Sequence, residues 1–206
     1  MRVVRSGAVG SDADLVIRLQ AGDESAFVEL VERYQAPLLR LARSFVPNRA
    51  VAEEVVQDVW LGVVRGIERF EGRSSLKTWL FRIMVNRARS TGVREHRETP
   101  IDLTAAEPAV PAERFTATGQ WAQPPAAWSE DAEDRLAAKE MVGRINAFLD
   151  HLPGAQRQVV LMRDFEGLAA PDVCSALGIS EANQRVLLHR GRSRLRTMIE
   201  LEQAKG

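Results

Sequence analysis

A short polar loop that leads into a basic helical segment holds the residues of this sequence best suited to chemistry. It runs from Phe70 to Asn86. Gly72 allows backbone angles that other residues avoid, and Ser74 or Ser75 can cap the next helix by accepting a hydrogen bond from an unpaired N–H. A loop that ends in such a cap is stiff, and we interpret the stretch as a candidate device for opening DNA.

The segment after this loop has two readable faces. The spacing i, i+3, i+4, i+7 of a buried helix face is shown by Leu76, Trp79, Leu80 and Ile83. Another side could bind phosphates, and it carries Thr78, Arg82, Asn86 and Arg89. From these residues alone, an ordinary amphipathic helix with a solvated basic face is the favoured interpretation.

Composition limits the classes of protein that this chain can be. The 206 residues suit two small domains, and the formal net charge is +0. Residues 98–134 carry eight acidic residues and one basic residue, so the flanking segments are basic on balance. The single Cys174 excludes an internal disulfide, and the three histidines lack metal-ligand spacing. We therefore predict no metal and no cofactor, a cytoplasmic protein, and neither secretion nor membrane insertion.

The periodicity predicts an all-α chain of two small helical domains joined by a flexible Pro/Ala-rich linker. We place a disordered N-terminus at residues 1–10, the first domain at 11–97, the linker at 98–133 and the second domain at 134–202. Five of the nine prolines lie in the linker, which also contains Phe115, Trp121 and Trp128. These aromatics dock either on a partner or on the chain's own domains.

A helix predicted from about Arg49 to Arg65 has an apolar and an acidic face. The apolar stripe comprises Ala52, Val55, Val56, Val59 and Val63. The opposite, hydrogen-bonding side comprises Glu54, Gln57, Asp58 and Leu61. Taken alone, this second face is more simply a solvated surface than a docking site.

The last part of the chain predicts a helix-turn-helix. Gly178 permits a tight turn after a short helix, and Ser180 can cap the next one. The positions that meet base edges in such a motif are Glu181, Asn183, Gln184 and Arg185. Five arginines against one acid between Glu181 and Thr197 favour a nucleic acid partner, although three-helix units also occur as pure packing modules.

Residues 11–95 and 134–198 together resemble the extracytoplasmic-function (ECF) sigma factors, initiation subunits of bacterial RNA polymerase. Ala52 to Trp60 looks like the polymerase-binding helix of this family, and Phe70 to Ser75 with Thr78-Trp79-Leu80 looks like its promoter-melting element. Leu152-Pro153, Leu177 to Ser180 and His189-Arg190 resemble its minus-thirty-five module. Two motif sets in the right order are more specific than either alone.

The resemblance implies a role for each set. One side of the polymerase-binding helix would face the clamp coiled coil of the beta-prime subunit. This side comprises Glu54, Gln57, Asp58 and Leu61. A second set would capture a base of the single-stranded minus-ten element and hold its backbone. It comprises Phe70, Gly72, Arg73, Ser74, Ser75, Trp79, Arg82, Asn86, Arg87 and Arg89. Those that would contact the duplex minus-thirty-five element are Ser180, Glu181, Asn183, Gln184, Arg185, His189, Arg190 and Arg192.

The family also implies partners and a non-enzymatic role. These are core polymerase, including its beta subunit, promoter DNA, and an anti-sigma factor that holds the protein inactive. The expected function is recognition and melting of promoters for stress- or signal-responsive genes in the bacterial cytoplasm. Two alternatives stay open: a stand-alone helix-turn-helix regulator, and a helical interaction protein that touches no DNA.

Three segments depart from the family pattern, one of them the linker, which is longer than in the family's shortest examples. In the recognition helix, apolar Val186 and Leu187 stand at polar positions and polar Gln184 stands at an apolar one. These exchanges suggest a shifted rotation of that helix. Ahead of it, the segment from Ala169 to Asp172 lacks the usual Ser or Thr cap, which weakens the start of the preceding helix.

Overall fold

The structure is a computed structural model that describes residues 12–94 and 147–203. Those residues are helical or lie in turns, with no strand among them, and they form two compact units divided between Arg97 and Glu98. The prediction of two all-α domains is confirmed. The predicted disordered N-terminus, the 98–133 linker with its aromatics, and most of the helix expected before Leu152 lie outside the described residues.

The described residues of the first unit form four α-helices and one short 3-10 helix. In chain order they are α1 (Asp12–Gln20), α2 (Glu24–Ala42), α3 (Arg49–Gly66), the 3-10 helix (Ile67–Arg69) and α4 (Leu76–Arg94).

Side-chain caps set the starts of α2 and α3. The carboxylate of Asp23 accepts hydrogen bonds from the backbone N–H groups of Ser25 and Ala26, and the Asn48 side chain accepts one from Val51 at 3.0 Å. Each cap satisfies a donor that the first helical turn leaves unpaired. Pro37 lies inside α2.

The core of the first unit confirms the stripe predicted on α3 and widens the one predicted on α4. All five residues of the α3 stripe are buried, whereas Trp79 and Ile83 on α4 are only half-buried. Leu76 and Leu80 of the predicted stripe are buried, and the further buried residues of α4 are Thr78, Phe81, Met84, Val85 and Ala88. Because α4 packs against both α2 and α3, its buried arc is wide enough to include Thr78, which the sequence had placed on the basic side.

The described part of the second unit begins with the helical residues 147–150, followed by α5 (Gly154–Val160), a π-helical turn (Leu161–Phe165), α6 (Ala170–Leu177) and α7 (Glu181–Gln203). No side chain caps α6, as its sequence indicated, but a proline occupies its first turn, where the missing N–H removes no helical hydrogen bond.

The predicted helix-turn-helix is formed by α6 and α7. Gly178 ends α6 with a left-handed φ of 58°, a conformation that glycine adopts without a steric cost. Ser180 then caps α7, because its hydroxyl oxygen accepts a hydrogen bond from the N–H of Asn183 at 3.2 Å. The helix before this motif, α5, packs closely on α7: a Cβ added to Gly191 would lie 2.6 Å from a methyl group of Val160.

Candidate nucleic-acid interface

An aromatic pair marks the loop between the 3-10 helix and α4. The rings of Phe70 and Trp79 have centroids 5.1 Å apart and are inclined by 50°. The side-chain amide of Gln20 donates hydrogen bonds to the backbone oxygens of Ile67 (3.1 Å) and Phe70 (2.9 Å). These bonds tie the start of the loop to α1, although sequence analysis gave Gln20 no role.

Trp79 is supported from a second side. A Cβ added to Gly66 would lie 3.2 Å from the indole ring, so the end of α3 approaches the ring as closely as the absence of a side chain allows. The indole is therefore fixed by Phe70 and by the backbone of α3. Beyond Phe70, Gly72 has a φ of +70°, the left-handed conformation in which a side chain is strained.

Ser75, rather than Ser74, caps α4. The hydroxyl oxygen of Ser75 accepts a hydrogen bond from the N–H of Thr78 at 3.0 Å, and the hydroxyl donates one to the Thr78 hydroxyl oxygen at 2.8 Å. The hydroxyl of Ser74 contacts only the adjacent carbonyl of Ser75, at 3.4 Å. The loop therefore runs from one anchored end at Phe70 to another at Ser75.

Positively charged residues lie in this loop and along the exposed side of α4. On α4 the side chains predicted to hold the DNA backbone are all exposed: Arg82, Asn86, Arg87 and Arg89. Within the loop, Arg73 pairs with Glu71 at 3.1 Å, but both side chains lie largely in water. Such a pair contributes little to stability, so Arg73 can exchange its partner for a phosphate at small cost.

The acidic face of α3 is exposed as predicted, with Glu54, Gln57 and Asp58 on one side of the helix. Leu61 is 53% exposed, and Val64, which sequence analysis did not single out, is 57% exposed one turn further on. The face therefore combines a carboxylate-rich half with an apolar half. If the helical spacing of Glu54, Gln57, Asp58 and Leu61 is continued for one more turn, it reaches Val64, so the sequence could have identified this residue.

Trp60 fixes α3 against α2 from behind this face. Its indole N–H donates a hydrogen bond to the side-chain oxygen of Gln35 at 2.6 Å, and its ring meets the edge of Phe27 with centroids 6.0 Å apart. The exposed side chains of α3 are thus carried on a helix whose rotation is set by specific contacts.

At the start of α7, the residues expected to read bases are divided between surface and core. Glu181 and Arg185 are exposed and form an ion pair at 3.1 Å. Gln184 is only 2% exposed, and its side-chain nitrogen makes no hydrogen bond to any described residue. Its position does not fit the base-reading role expected from the sequence.

The buried Gln184 also shows how α7 is rotated. Leu187 is buried beside it along the helix and Val186 is exposed. The amide therefore occupies the position at which the family pattern has an apolar residue, and Leu187 is buried although that pattern has a polar residue there. The burial of Leu187 stabilises this rotation, because turning the helix to expose Leu187 would return its apolar surface to water.

Much of the basic cluster on α7 is engaged within its own unit. The Nε and Nη2 atoms of Arg192 donate hydrogen bonds to the Asp164 carboxylate, at 2.8 and 2.5 Å, and the arginine side chain is only 15% exposed. Arg194 donates a hydrogen bond to the buried side chain of Gln156 at 3.2 Å, and Arg196 pairs with Glu200 at 2.5 Å. The arginine count therefore overstates the positive charge that this helix offers to DNA.

His189 and Arg190 lie beside this cluster and are half-buried. Burial, and then the positive charges of Arg190 and Arg192, lower the pKa of His189, which favours its neutral form. A neutral imidazole can both donate and accept a hydrogen bond. On the preceding helix, burial raises the pKa of the Cys174 thiol, which disfavours a reactive thiolate.

In the parts of the chain that the structure describes, no helix is both long and apolar enough to cross a membrane. Nor do those parts bring together three or more side chains of the types that hold a metal ion.

Comparison with known proteins gives the family. The model described as Sigma-70 region 2 matches residues 30–98, and that described as Sigma-70, region 4 matches residues 143–195. The RNA polymerase sigma-H factor of Pseudomonas aeruginosa is 30% identical over 182 residues, 88% of this chain and 90% of the relative. The ECF RNA polymerase sigma-E factor of Escherichia coli K12 is 28% identical over 92% of this chain and 95% of its own length.

Among solved structures, the sigma factor RpoE in complex with the anti-sigma factor NepR from Bartonella quintana shares the fold, with a TM-score of 0.52 and 21% identity. The alignment covers 84% of this chain and 97% of RpoE. The chain belongs to the sigma-70 family of RNA polymerase sigma factors, within its ECF group.

Proposed function

We propose that this sigma factor binds core polymerase through the exposed face of α3, captures a minus-ten base in the Phe70 loop, and contacts the minus-thirty-five element through α7. The observation that carries the proposal is the Phe70–Trp79 pair. It is held at 5.1 Å, anchored by Gln20, and followed by a basic helix face.

Base capture follows from the two anchored ends of the loop. Extruding a base from a duplex costs a few kcal/mol, and stacking on an aromatic ring returns about 1–3 kcal/mol. A loop already fixed at Phe70 and Ser75 loses little conformational freedom when the base enters, so most of the stacking energy is available for melting. The exposed arginines of α4 would hold the strand on either side.

Docking on polymerase is supported by the divided character of the α3 face. Carboxylates at Glu54 and Asp58 would meet the basic coiled coil of the beta-prime clamp, where complementary charge speeds association and sets orientation. Leu61 and Val64 would supply the apolar contact, because exposed aliphatic side chains gain most from being covered. The beta subunit is the second expected partner in the core enzyme.

At the minus-thirty-five element, the contacts would come from the exposed and half-buried residues of α7. Glu181, Asn183 and Arg185 lie in the first turns after the Ser180 cap, where a recognition helix meets base edges. His189 and Arg190 would follow along the groove. Gln184 and Arg192 would act by positioning the helix, since one is buried and the other is bound to Asp164.

The protein acts without catalytic chemistry or cofactors, in the bacterial cytoplasm, on a signal-responsive set of promoters. An anti-sigma factor would hold it inactive, as the complex of RpoE with NepR suggests. Affinity purification from the native cell under inducing and non-inducing conditions tests this part. Recovery of polymerase subunits alone under every condition would argue against such a regulator.

Transcription from two templates tests the melting role. Phe70→Ala is expected to lower output from a duplex promoter about fivefold or more, the effect of losing one base–aromatic stack. Output from a template opened beforehand around minus ten should fall less, because the stack is no longer needed to drive opening, and binding to core polymerase should be unchanged. Gly72→Ala should behave in the same way because of its left-handed φ. Equal losses on both templates would assign the loop a merely structural role.

The α3 face has its own matched pair of variants. Leu61→Asp is expected to weaken binding to core polymerase, because it places a carboxylate at the centre of the apolar half of the face. Val28→Asp on α2 is the control, since Val28 is 54% exposed and Leu61 is 53% exposed. Equal affinity of the two variants for core polymerase, measured by fluorescence titration, would exclude Leu61 from the interface.

A further inference from the structure

An apolar strip lies on the exposed side of the first half of α7. It consists of Ala182 and Val186, which are both exposed, the valine to 43%. Residues four apart in a helix lie one above the other on the same face. Since the burial of Gln184 and Leu187 fixes the rotation of α7, this strip faces outward beside the Glu181–Arg185 ion pair.

The fold gives no reason for a valine at this position. Leu187 and Leu188 supply the core contacts of this part of the helix, at 2% and 6% exposure. A β-branched residue on an exposed helix face lowers helix propensity relative to alanine or arginine. An exposed valine among polar side chains is therefore more simply explained by a surface that covers it.

The major groove offers one apolar group for such a contact, the C5-methyl group of thymine. We propose that Val186 selects thymine in the minus-thirty-five element through this methyl group, with Ala182 facing a pair further along the groove. Four helical residues rise about 6 Å, and successive base pairs are about 3.4 Å apart, so the strip spans about two base-pair steps.

An exposed ion pair lies next to the apolar strip. Arg185 has a largely exposed side chain but shares its guanidinium with Glu181 at 3.1 Å. An arginine that reads guanine uses two nitrogens at once, and here a carboxylate already occupies one of them. Breaking this exposed pair costs little, so Arg185 remains able to turn to a phosphate or a base, and the apolar strip can meet a base whether or not it does.

The inference rests on the proposed contact of α7 with promoter DNA, and one series of binding measurements tests it. Transcript starts are mapped after overexpression, and hydroxyl-radical footprinting of the reconstituted holoenzyme locates the upstream element. Each thymidine in that element is then replaced singly by deoxyuridine, which lacks only the methyl group. For the unmodified protein, one replacement is expected to weaken holoenzyme binding about fourfold, the factor for burying one methyl group.

Variants of the holoenzyme then assign the effect to one side chain. Val186→Ser should bind the thymidine and deoxyuridine promoters equally, whereas Val186→Ile should keep the difference. Leu201→Ala is the matched control: it removes an apolar side chain that is 58% exposed on the same helix, fifteen residues away, and should also keep the difference.

Three results would overturn the inference: an element without thymine, replacements that are all neutral for the unmodified protein, or a thymidine preference that persists in Val186→Ser. Failure of the proposed function is distinct from these, because the holoenzyme would then protect no upstream duplex at all. The neutral-replacement result leaves the contact of α7 with DNA intact and removes only the methyl readout.

Discussion

Substitution of Gln184 distinguishes most sharply between two roles for this residue, reading a base and packing in the core. Its side chain is 2% exposed, and its Nε2 atom makes no hydrogen bond to any described residue. A buried donor without a partner costs about 1–3 kcal/mol of the free energy of unfolding. Methionine has a similar length, an unbranched chain and no donor, so Gln184→Met should recover about 1 kcal/mol or more.

Thermal and urea unfolding of the full chain measure this gain. A change of about 1 kcal/mol in a unit of this size corresponds to about 4–8 °C in the Tm of the second unit. Gln184→Glu is the matched control, because a buried carboxyl group needs a partner that this site lacks, and it should lower the Tm.

Promoter selectivity supplies the second readout. If Gln184 acts only through the core, Gln184→Met keeps the base preference of the holoenzyme at every minus-thirty-five position. A lower Tm together with a changed preference at one position would refute the reasoning, since it would mean that the amide reaches the groove in the complex.

Two further predictions concern stability. Gly191→Ala should lower the free energy of unfolding by about 1 kcal/mol, because the new methyl group would lie 2.6 Å from Val160 and the overpacking outweighs the helix-propensity gain of about 1 kcal/mol. Adding Val160→Ala should restore the lost stability. An unchanged urea midpoint in the single variant would contradict the close packing of α5 on α7. Hydrogen bonds from the hydroxyl of Ser25 and then from Arg18 hold the pKa of Asp23 well below its usual range, so the contribution of Asp23 to stability is present above about pH 4 and is lost as the pH falls further. Asp23→Asn, which keeps a capping oxygen, should therefore lose less stability on acidification than the unmodified protein. Parallel curves of stability against pH for the two proteins would exclude the effect.

Local sequence determined the helix starts and the turns of this protein. Asp23, Asn48, Ser75 and Ser180 cap the helices that follow them, and Gly178 takes the left-handed angle that its turn needs. These features were predictable because a cap or a turn depends on residues within about four positions of one another. The buried stripe of α3 was predictable for the same reason, since one helix face meets the core there.

The tertiary structure decided which side chains are left for binding. Sequence patterns assigned Thr78 to a basic surface and Gln184 to base reading, yet neighbouring helices bury both. Arg192 counted as positive charge for DNA, but Asp164, 28 residues earlier in the chain, binds it. A helical period gives the faces of one helix, whereas the exposed part of each face depends on the partners that pack against it, and those come from distant segments of the chain.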